Sequence, residues 1–267
     1  MKTKSAAAFI LSLHLAWNPQ FALARDQRLD SLIAHTRELS QNGSIPLIVM
    51  DLDETVVDST DRRFAAFQRS AQTLCSTTAP RDCPLALNLR RSDLQRISNP
   101  YDSTSLFDRL GIKSPEFRKK WESTMVDEYL SGSGMELDDE VPGARSFISE
   151  LGHAGAHVIY ISARFESKQG FGTLQSLSHL GLLEWGWPKV ILRPDHEDSL
   201  AFKVRAIRSI EFPEGQDSAV IALFENEPEN LNAWSHEFPD AQAFFLERAV
   251  MKPEPLAGHP IRLRDFR

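Results

Sequence analysis

The sequence predicts an α/β fold, a doubly wound parallel sheet with a mostly helical segment inserted after the first strand. Three observations carry this expectation. Five short apolar runs, starting at Pro46, His157, Lys189, Ala219 and Ala241, alternate with segments of helical periodicity, as right-handed β–α–β crossovers do. The runs are apolar without alternation, the pattern of strands buried on both faces. Between the first run and the second, residues 62–138 carry helical patterns and no strong strand pattern. A chain of 267 residues is long enough for one sizeable core and a smaller accessory domain. The expected division is 25–61 with 139–267 for the sheet domain and 62–138 for the helical insert.

At the start of the chain, Lys2 and Lys4 precede an apolar segment from Ala6 to Trp17. Asn18-Pro19 and the small-x-small sequence Ala22-Leu23-Ala24 follow. This is the order of a secretory signal peptide covering 1–24, cleaved after Ala24, and it predicts a periplasmic or secreted protein. The apolar segment is too short to span a bilayer comfortably. Cleavage would take the net charge from −7 to −9, because Lys2 and Lys4 are the only charged residues before Arg25.

From Asp26 to Gln41, Leu29, Leu32, Ile33 and Leu39 recur at near-helical spacing, and Asn42-Gly43 supplies the stop. The first strand then runs into Asp51-Leu52-Asp53-Glu54-Thr55. Acids cannot continue into an apolar core, so they belong at the strand's carboxyl end, where open parallel sheets bind ligands. Residues two apart on an extended backbone point the same way. Asp51 and Asp53 therefore face one pocket while Leu52 turns into the core.

Within the insert, helices are expected over Arg62–Leu74, Leu85–Ile97, Ser103–Leu110 and Pro115–Leu130. The last carries Phe117, Trp121, Met125 and Tyr129 at steps of four, a stripe assigned to the core. Ser131-Gly132-Ser133-Gly134 reads as a flexible hinge. Cys75 and Cys83 are the only cysteines. In an exported chain a pair closing so short a polar loop reads as a disulfide, and spacing alone leaves two unpaired thiols as the alternative.

Past the insert, Pro142 to Leu151 starts a helix with proline in its first turn, ended by Gly152 and Gly155. The strand from His157 to Ile161 ends in Ser162-Ala163-Arg164. A helix from Glu166 to Leu180, weakened by Gly170 and Gly172, leads to the strand Lys189–Leu192 and then Arg193-Pro194-Asp195. The next helix, Ser199 to Ile210, carries Lys203. The fourth strand, Ala219 to Phe224, runs into Glu225-Asn226-Glu227-Pro228-Glu229-Asn230, and the fifth is Ala241 to Leu246. The tail from Lys252, with Pro253, Pro255 and Pro260, is expected as an extended surface segment.

Two carboxylates over one pocket repel and need a cation or a shared proton. Oxygen-only ligands favour a hard cation, commonly magnesium when a phosphate supplies further oxygens. A serine hydroxyl at a strand end, here Ser162, can donate to a phosphoryl oxygen, helped by backbone N–H groups of the following turn. The net charge of −7 argues against a general binder of nucleic acid or of membrane surfaces.

An apolar strand followed by Asp-x-Asp-x-Thr resembles the first signature of the haloacid dehalogenase-like phosphohydrolases. The longer string Asp-Leu-Asp-Glu-Thr-Val resembles their exported acid phosphatases. The resemblance extends over about Pro46 to Leu246 and implies that the insert is a cap closing over the site. It further implies that Asp51 is the nucleophile and Asp53 the acid and base, with Ser162 and Lys203 holding the phosphoryl oxygens. Thr55, Ala163 and Arg164 are implied as further substrate contacts; Lys168 and Lys189 are weaker rivals to Lys203. Mg2+ would be bound by Asp51, the backbone carbonyl of Asp53, and Glu225 or Asn226. Here the chain departs from the family, whose fourth motif carries aspartates. Glu225 is the favoured ligand, with Glu229 one helical turn on as a second or more distant one, and Asn226 offers a neutral oxygen instead.

The activity so implied is magnesium-dependent hydrolysis of a small-molecule phosphomonoester through an aspartyl-phosphate. Asp53 disfavours a dehalogenase, because displacing a halide needs no acid. Phosphoryl transfer to another alcohol uses the same residues. A different class, a fold that binds a phosphoryl ligand or partner without turnover, is kept open by the unusual fourth motif. A nucleic-acid end phosphatase fits the acidic charge and export signal less well. No residue names the substrate or the oligomeric state.

Overall fold

The computed structural model describes residues 25–77, 81–96, 99, 101–185, 188–211 and 217–267, so the expected signal segment lies outside the described residues. Helix α1 (Gln27–Gln41) is capped by Asp26, which accepts from the Arg28 N–H, and leads into strand β1 (Ile45–Met50). A short strand, β2 (Val57–Asp58), pairs antiparallel with β3 (Asp139–Glu140). Between them lie α2 (Thr60–Thr77), α3 (Cys83–Leu87), α4 (Arg91–Gln95), α5 (Ser103–Leu110) and α6 (Pro115–Leu130). The chain continues through α7 (Ala144–His153), β4 (His157–Phe165), α8 (Glu166–His179), β5 (Lys189–Arg193) and α9 (Ser199–Arg208). It ends with β6 (Ser218–Glu225), α10 (Pro228–Glu237), β7 (Gln242–Leu246) and β8 (Ile261–Leu263).

The main sheet has the order β5-β4-β1-β6-β7-β8 and is parallel throughout. The expected doubly wound α/β class is what forms. β1 lies between β4 and β6, so the chain leaves it toward opposite sides of the sheet and opens a crevice at its carboxyl end. Period-two alternation along β1 feeds two cores. Ile48 and Met50 join Leu29, Leu32, Phe147 and Leu151 on one face, while Leu47 and Val49 join Phe202, Ile207, Leu231 and Trp234 on the other.

The insert holds a third apolar cluster around Trp121, which is fully buried and donates its indole N–H to the Phe67 carbonyl (3.0 Å) and Ser70 Oγ (2.9 Å). Cys75 and Cys83 are bonded, with Cα atoms 5.7 Å apart. Among the described residues no helix is long and apolar enough to cross a membrane.

Four expectations of local structure change. The single helix expected over Leu85–Ile97 is two short ones, because Leu89 turns into the insert's core and Arg90 adopts an extended backbone, its N–H on Asp93 Oδ2 at 3.0 Å. The Ser131-Gly134 segment is a packed turn rather than a free hinge. A Cβ on Gly132, whose φ is +87°, would come within 2.3 Å of the Lys168 carbonyl oxygen. Ser162, Ala163 and Arg164 lie on β4, where the pairing with β5 shifts register, and not in a turn after it. The tail adds a sixth strand, β8, a three-residue edge too short to show a periodicity.

Candidate active site

Asp51 is the first residue past β1; its N–H donates to the Phe224 carbonyl (2.9 Å), which extends the pairing with β6 by one step. This places its carboxylate at the sheet's carboxyl edge, buried to 4% exposure. Lys203, from the first half of α9, reaches across to it: Nζ donates to Asp51 Oδ1 at 2.7 Å and to Glu225 Oε2 at 2.5 Å. Thr55 Oγ1 donates to Asp51 Oδ2 at 3.1 Å and lies 3.2 Å from Asn226 Oδ1. Ser162, Lys203, Asn226, Asp51 and Asp53 all line one cavity of about 510 Å³. Lys168 and Lys189 do not line it.

The trio Asp51–Lys203–Glu225 holds two carboxylates and one ammonium out of water. Burial raises the pKa of both acids, and Asp51 adds to the effect on Glu225, which is pushed up to about 8 against the pull of Lys203. The acids in turn outweigh the effect of burial on Lys203 and hold its ammonium protonated. With both acids ionised, one negative charge remains uncompensated, and a cation or a proton relieves it.

Glu225 and Asn226 point to different places. Glu225 Oε1 accepts from the N–H groups of Asn226 (3.0 Å) and Glu227 (2.9 Å), and Oε2 faces Lys203, so its carboxylate is occupied from within the protein. Asn226 Nδ2 donates to the Ala249 carbonyl at 2.6 Å, which turns Oδ1 toward Thr55, the residue that also donates to Asp51. The oxygens gathered at this edge of the cavity therefore include the carboxylates of Asp51 and Asp53 and the amide oxygen of Asn226. That is hard-oxygen chemistry suited to Mg2+, which keeps several waters and takes phosphate oxygens. Among the described residues no group of three or more His, Cys, Asp or Glu is placed to hold a metal unaided. Glu229 does not join the site; its carboxylate lies 3.4 Å from Lys252 Nζ.

Asp53 sits in a cationic clamp. Arg164 Nε donates to Oδ2 at 2.9 Å and Nη2 to Oδ1 at 2.8 Å, and Arg62 donates to Oδ1 as well. Enclosure by the protein works to raise the pKa of Asp53, but Arg164 and Arg62 outweigh it and hold the carboxyl well below the usual range. Both arginines also contact Asp138, Arg62 Nε at 3.0 Å and Arg164 Nη2 at 2.8 Å. Arg62 belongs to the insert and Asp138 to its exit, so the network ties insert to sheet. Burial raises the pKa of Asp138 against the pull of the same two arginines.

The roof comes from the insert. Met125, Val126 and Tyr129 on α6 line the cavity, whereas Phe117 and Trp121 of the same stripe are buried in the insert's own core. The stripe assigned wholly to the core thus splits. Arg62, Arg63, Tyr101, Asp138 and Arg193 were missed by sequence reasoning. Each looks like an ordinary helix or loop residue, and only Arg62 and Asp138 had a signal, their position at the two ends of the insert.

No family model matches the chain, and no curated protein matches it. Several solved structures are similar in shape. A haloacid dehalogenase-like family hydrolase from Streptococcus pneumoniae is 14% identical, with 76% of this chain and 84% of that one covered and a TM-score of 0.46. A HAD hydrolase, family IA, variant 3, from Entamoeba histolytica is 14% identical over 83% and 94% of the two chains, with a TM-score of 0.42. A class C acid phosphatase from Bacillus anthracis with tungstate bound is 18% identical over 76% and 65%, with a TM-score of 0.35. Likenesses this distant leave the assignment to the chain's own residues.

Proposed function

We propose that this chain is a magnesium-dependent phosphomonoester hydrolase of the haloacid dehalogenase-like type, acting through an aspartyl-phosphate, with 62–138 as its cap. The observation that carries the reading is the buried Asp51–Lys203 contact of 2.7 Å at the carboxyl end of the central strand, in one cavity with Ser162 and Asn226. Asp51 is the nucleophile: Lys203 and Thr55 fix its two oxygens, so the attacking lone pair is aimed before substrate arrives. Ser162 and Lys203 hold the phosphoryl oxygens as charge shifts toward the leaving group. Asp53, kept anionic by Arg164 and Arg62, is suited to accept a proton from the water that hydrolyses the intermediate. The same clamp opposes donation to the leaving oxygen, so esters of acidic alcohols are the easier substrates.

Asp51, Asn226 and the backbone carbonyl of Asp53 would hold the magnesium. Bound there, the ion would neutralise phosphoryl oxygens and the excess charge of the buried trio. Glu225 acts through Lys203, keeping the ammonium between the two acids. Export to an oxidising compartment is supported by the Cys75–Cys83 bond and by the order of residues 1–24. If the acceptor is an alcohol in place of water, the same residues carry out phosphoryl transfer.

The test is release of p-nitrophenol from p-nitrophenyl phosphate, whose leaving group needs no proton, across pH with Mg2+ and with EDTA. Turnover that EDTA stops and that Asp51→Asn abolishes is expected. Inertness of the folded wild type toward this ester and toward a panel of natural phosphomonoesters would favour a phosphoryl-binding protein without turnover.

A further inference from the structure

Arg193 is the last residue of β5 and lines the same cavity as Asp51 and Ser162. Its guanidinium is held rigidly, and only by neutral partners. Nε donates to the Ala163 carbonyl (3.0 Å), Nη1 to the Glu197 carbonyl (3.1 Å), and the group lies over the Phe165 ring, 4.2 Å from its centroid. Among the described residues nothing accepts a hydrogen bond from Nη2.

Three carboxylates are close enough to influence it, and among the described residues none forms an ion pair with it. Asp195 accepts from Ser167 Oγ through Oδ2, while its Oδ1 has no hydrogen-bond partner among the described residues. Glu197 is gripped by Arg205, Nε at 2.8 Å and Nη2 at 2.5 Å. Asp198 caps α9, accepting from the N–H groups of Leu200 (3.0 Å) and Ala201 (3.1 Å). The other arginines that line the cavity are paired, Arg63 with Glu54 and Arg164 with Asp53 and Asp138. Arg193 is the exception: a half-buried cation fixed in place with no acid on it.

We propose that Arg193 receives a second anionic group of the substrate, so that the ligand is a phosphomonoester carrying a carboxylate or a second phosphate. The proposal rests on the phosphoryl group being bound at Asp51, Ser162 and Lys203. The strand order β5-β4-β1 then sets the span. Two interstrand steps, about 10 Å, separate the β5 column from the β1 column. The pairings of Met50 with Tyr160 and of Ile161 with Ile191 put Arg193 two residues, about 7 Å, farther along than the level of Asp51, so the two backbones lie about 12 Å apart. A phosphoryl group at Asp51 and an oxyanion at Arg193, joined by a linker of a few carbons, fill that distance. A guanidinium presents planar N–H donors that match a carboxylate or phosphate, and one pinned by carbonyls and a ring loses little freedom on binding. Leaving such a cation without a protein acid keeps it free for the ligand.

The experiment is calorimetric binding of three non-hydrolysable phosphonates to the wild-type protein with Mg2+: propylphosphonate, 2-carboxyethylphosphonate and propane-1,3-diphosphonate. At least one of the two carrying a second anion should bind roughly ten- to a hundredfold more tightly than propylphosphonate. Which of them gains more distinguishes a carboxylate from a phosphate. Arg193→Met should remove the advantage and leave propylphosphonate binding unchanged. Arg193→Lys, which keeps charge without the fork, should retain only part of it, and circular dichroism confirms that both variants fold. Equal binding of all three ligands, or an advantage that survives Arg193→Met, overturns the proposal. Phosphonate discrimination in a protein that hydrolyses nothing would sink the phosphatase reading alone. Hydrolysis without discrimination would sink this one alone.

Discussion

Arg164 grips both carboxylate oxygens of Asp53, Nε on Oδ2 at 2.9 Å and Nη2 on Oδ1 at 2.8 Å, and the same Nη2 reaches Asp138 Oδ2 at 2.8 Å. One planar fork therefore joins the loop after β1 to the exit of the insert. Arg62 makes the complementary contacts from α2, so two cations and two anions alternate around the entry and exit of the insert.

Removing one member of such a network leaves buried acids under-compensated. Arg164→Met leaves Asp138, whose side chain is fully buried, to Arg62 alone, and should destabilise the protein by about 3 kcal/mol, at the low end for a broken buried pair because Arg62 still reaches both Asp138 and Asp53. Urea unfolding reads this directly. Adding Asp138→Asn should recover part of the loss. A variant with wild-type stability would mean that the network positions Asp53 without holding the fold.

Metal binding separates Glu225 from Asn226. Asn226 lines the cavity and, among the described residues, its Oδ1 accepts only from Thr55, while Glu225 does not line it and has both oxygens occupied by Lys203 and two backbone N–H groups. Asn226→Ala should weaken Mg2+ binding about tenfold or more, measured by calorimetry with inorganic phosphate present. Glu225→Gln should change Mg2+ affinity little while loosening Lys203. The reverse ranking would make Glu225 the ligand and require it to swing away from Lys203.

Acid should loosen the turn below the insert. Asp58 accepts from the Thr60 N–H (3.0 Å) and from Arg248 Nη2 (2.6 Å). Burial alone would raise its pKa, but Thr60 and Arg248 together hold it below the ordinary aspartate value of 3.8. The folded state thus favours the anion. Its stabilisation is complete above the unfolded pKa, about 4, and is lost as pH falls through the lower folded value. Asp58→Asn should cost about 1 kcal/mol at pH 7 and progressively less below about pH 4. A cost that stays constant over urea titrations at neutral and acidic pH would show that the charge is not responsible.

Much of this molecule was legible before any coordinates. The unbroken apolar runs at β1, β4 and β6 marked doubly buried strands, because only side chains without polar groups can face a core on both sides. The acids that end β1 and β6 marked the edge of the sheet where the cavity opens for the same reason. Asp51, Ser162 and Lys203 were nameable from motif order. The division of α6 was not: Met125 and Tyr129 continue the spacing of Phe117 and Trp121, and periodicity records which face is apolar without saying what covers it.

The sequence by itself determined the fold class, the strand that ends in Asp51, and the hard-oxygen character of its surroundings, since these follow from local pattern and residue chemistry. Only the tertiary structure decided the partnerships. Glu225 turns to Lys203, Asn226 to Thr55, Arg164 and Arg62 to Asp53, and Arg193 to no acid at all. Such choices depend on which of several nearby charges reaches a group first in space. Residues 152 positions apart along the chain, as Asp51 and Lys203 are, or 171, as Thr55 and Asn226 are, meet only when the sheet has formed.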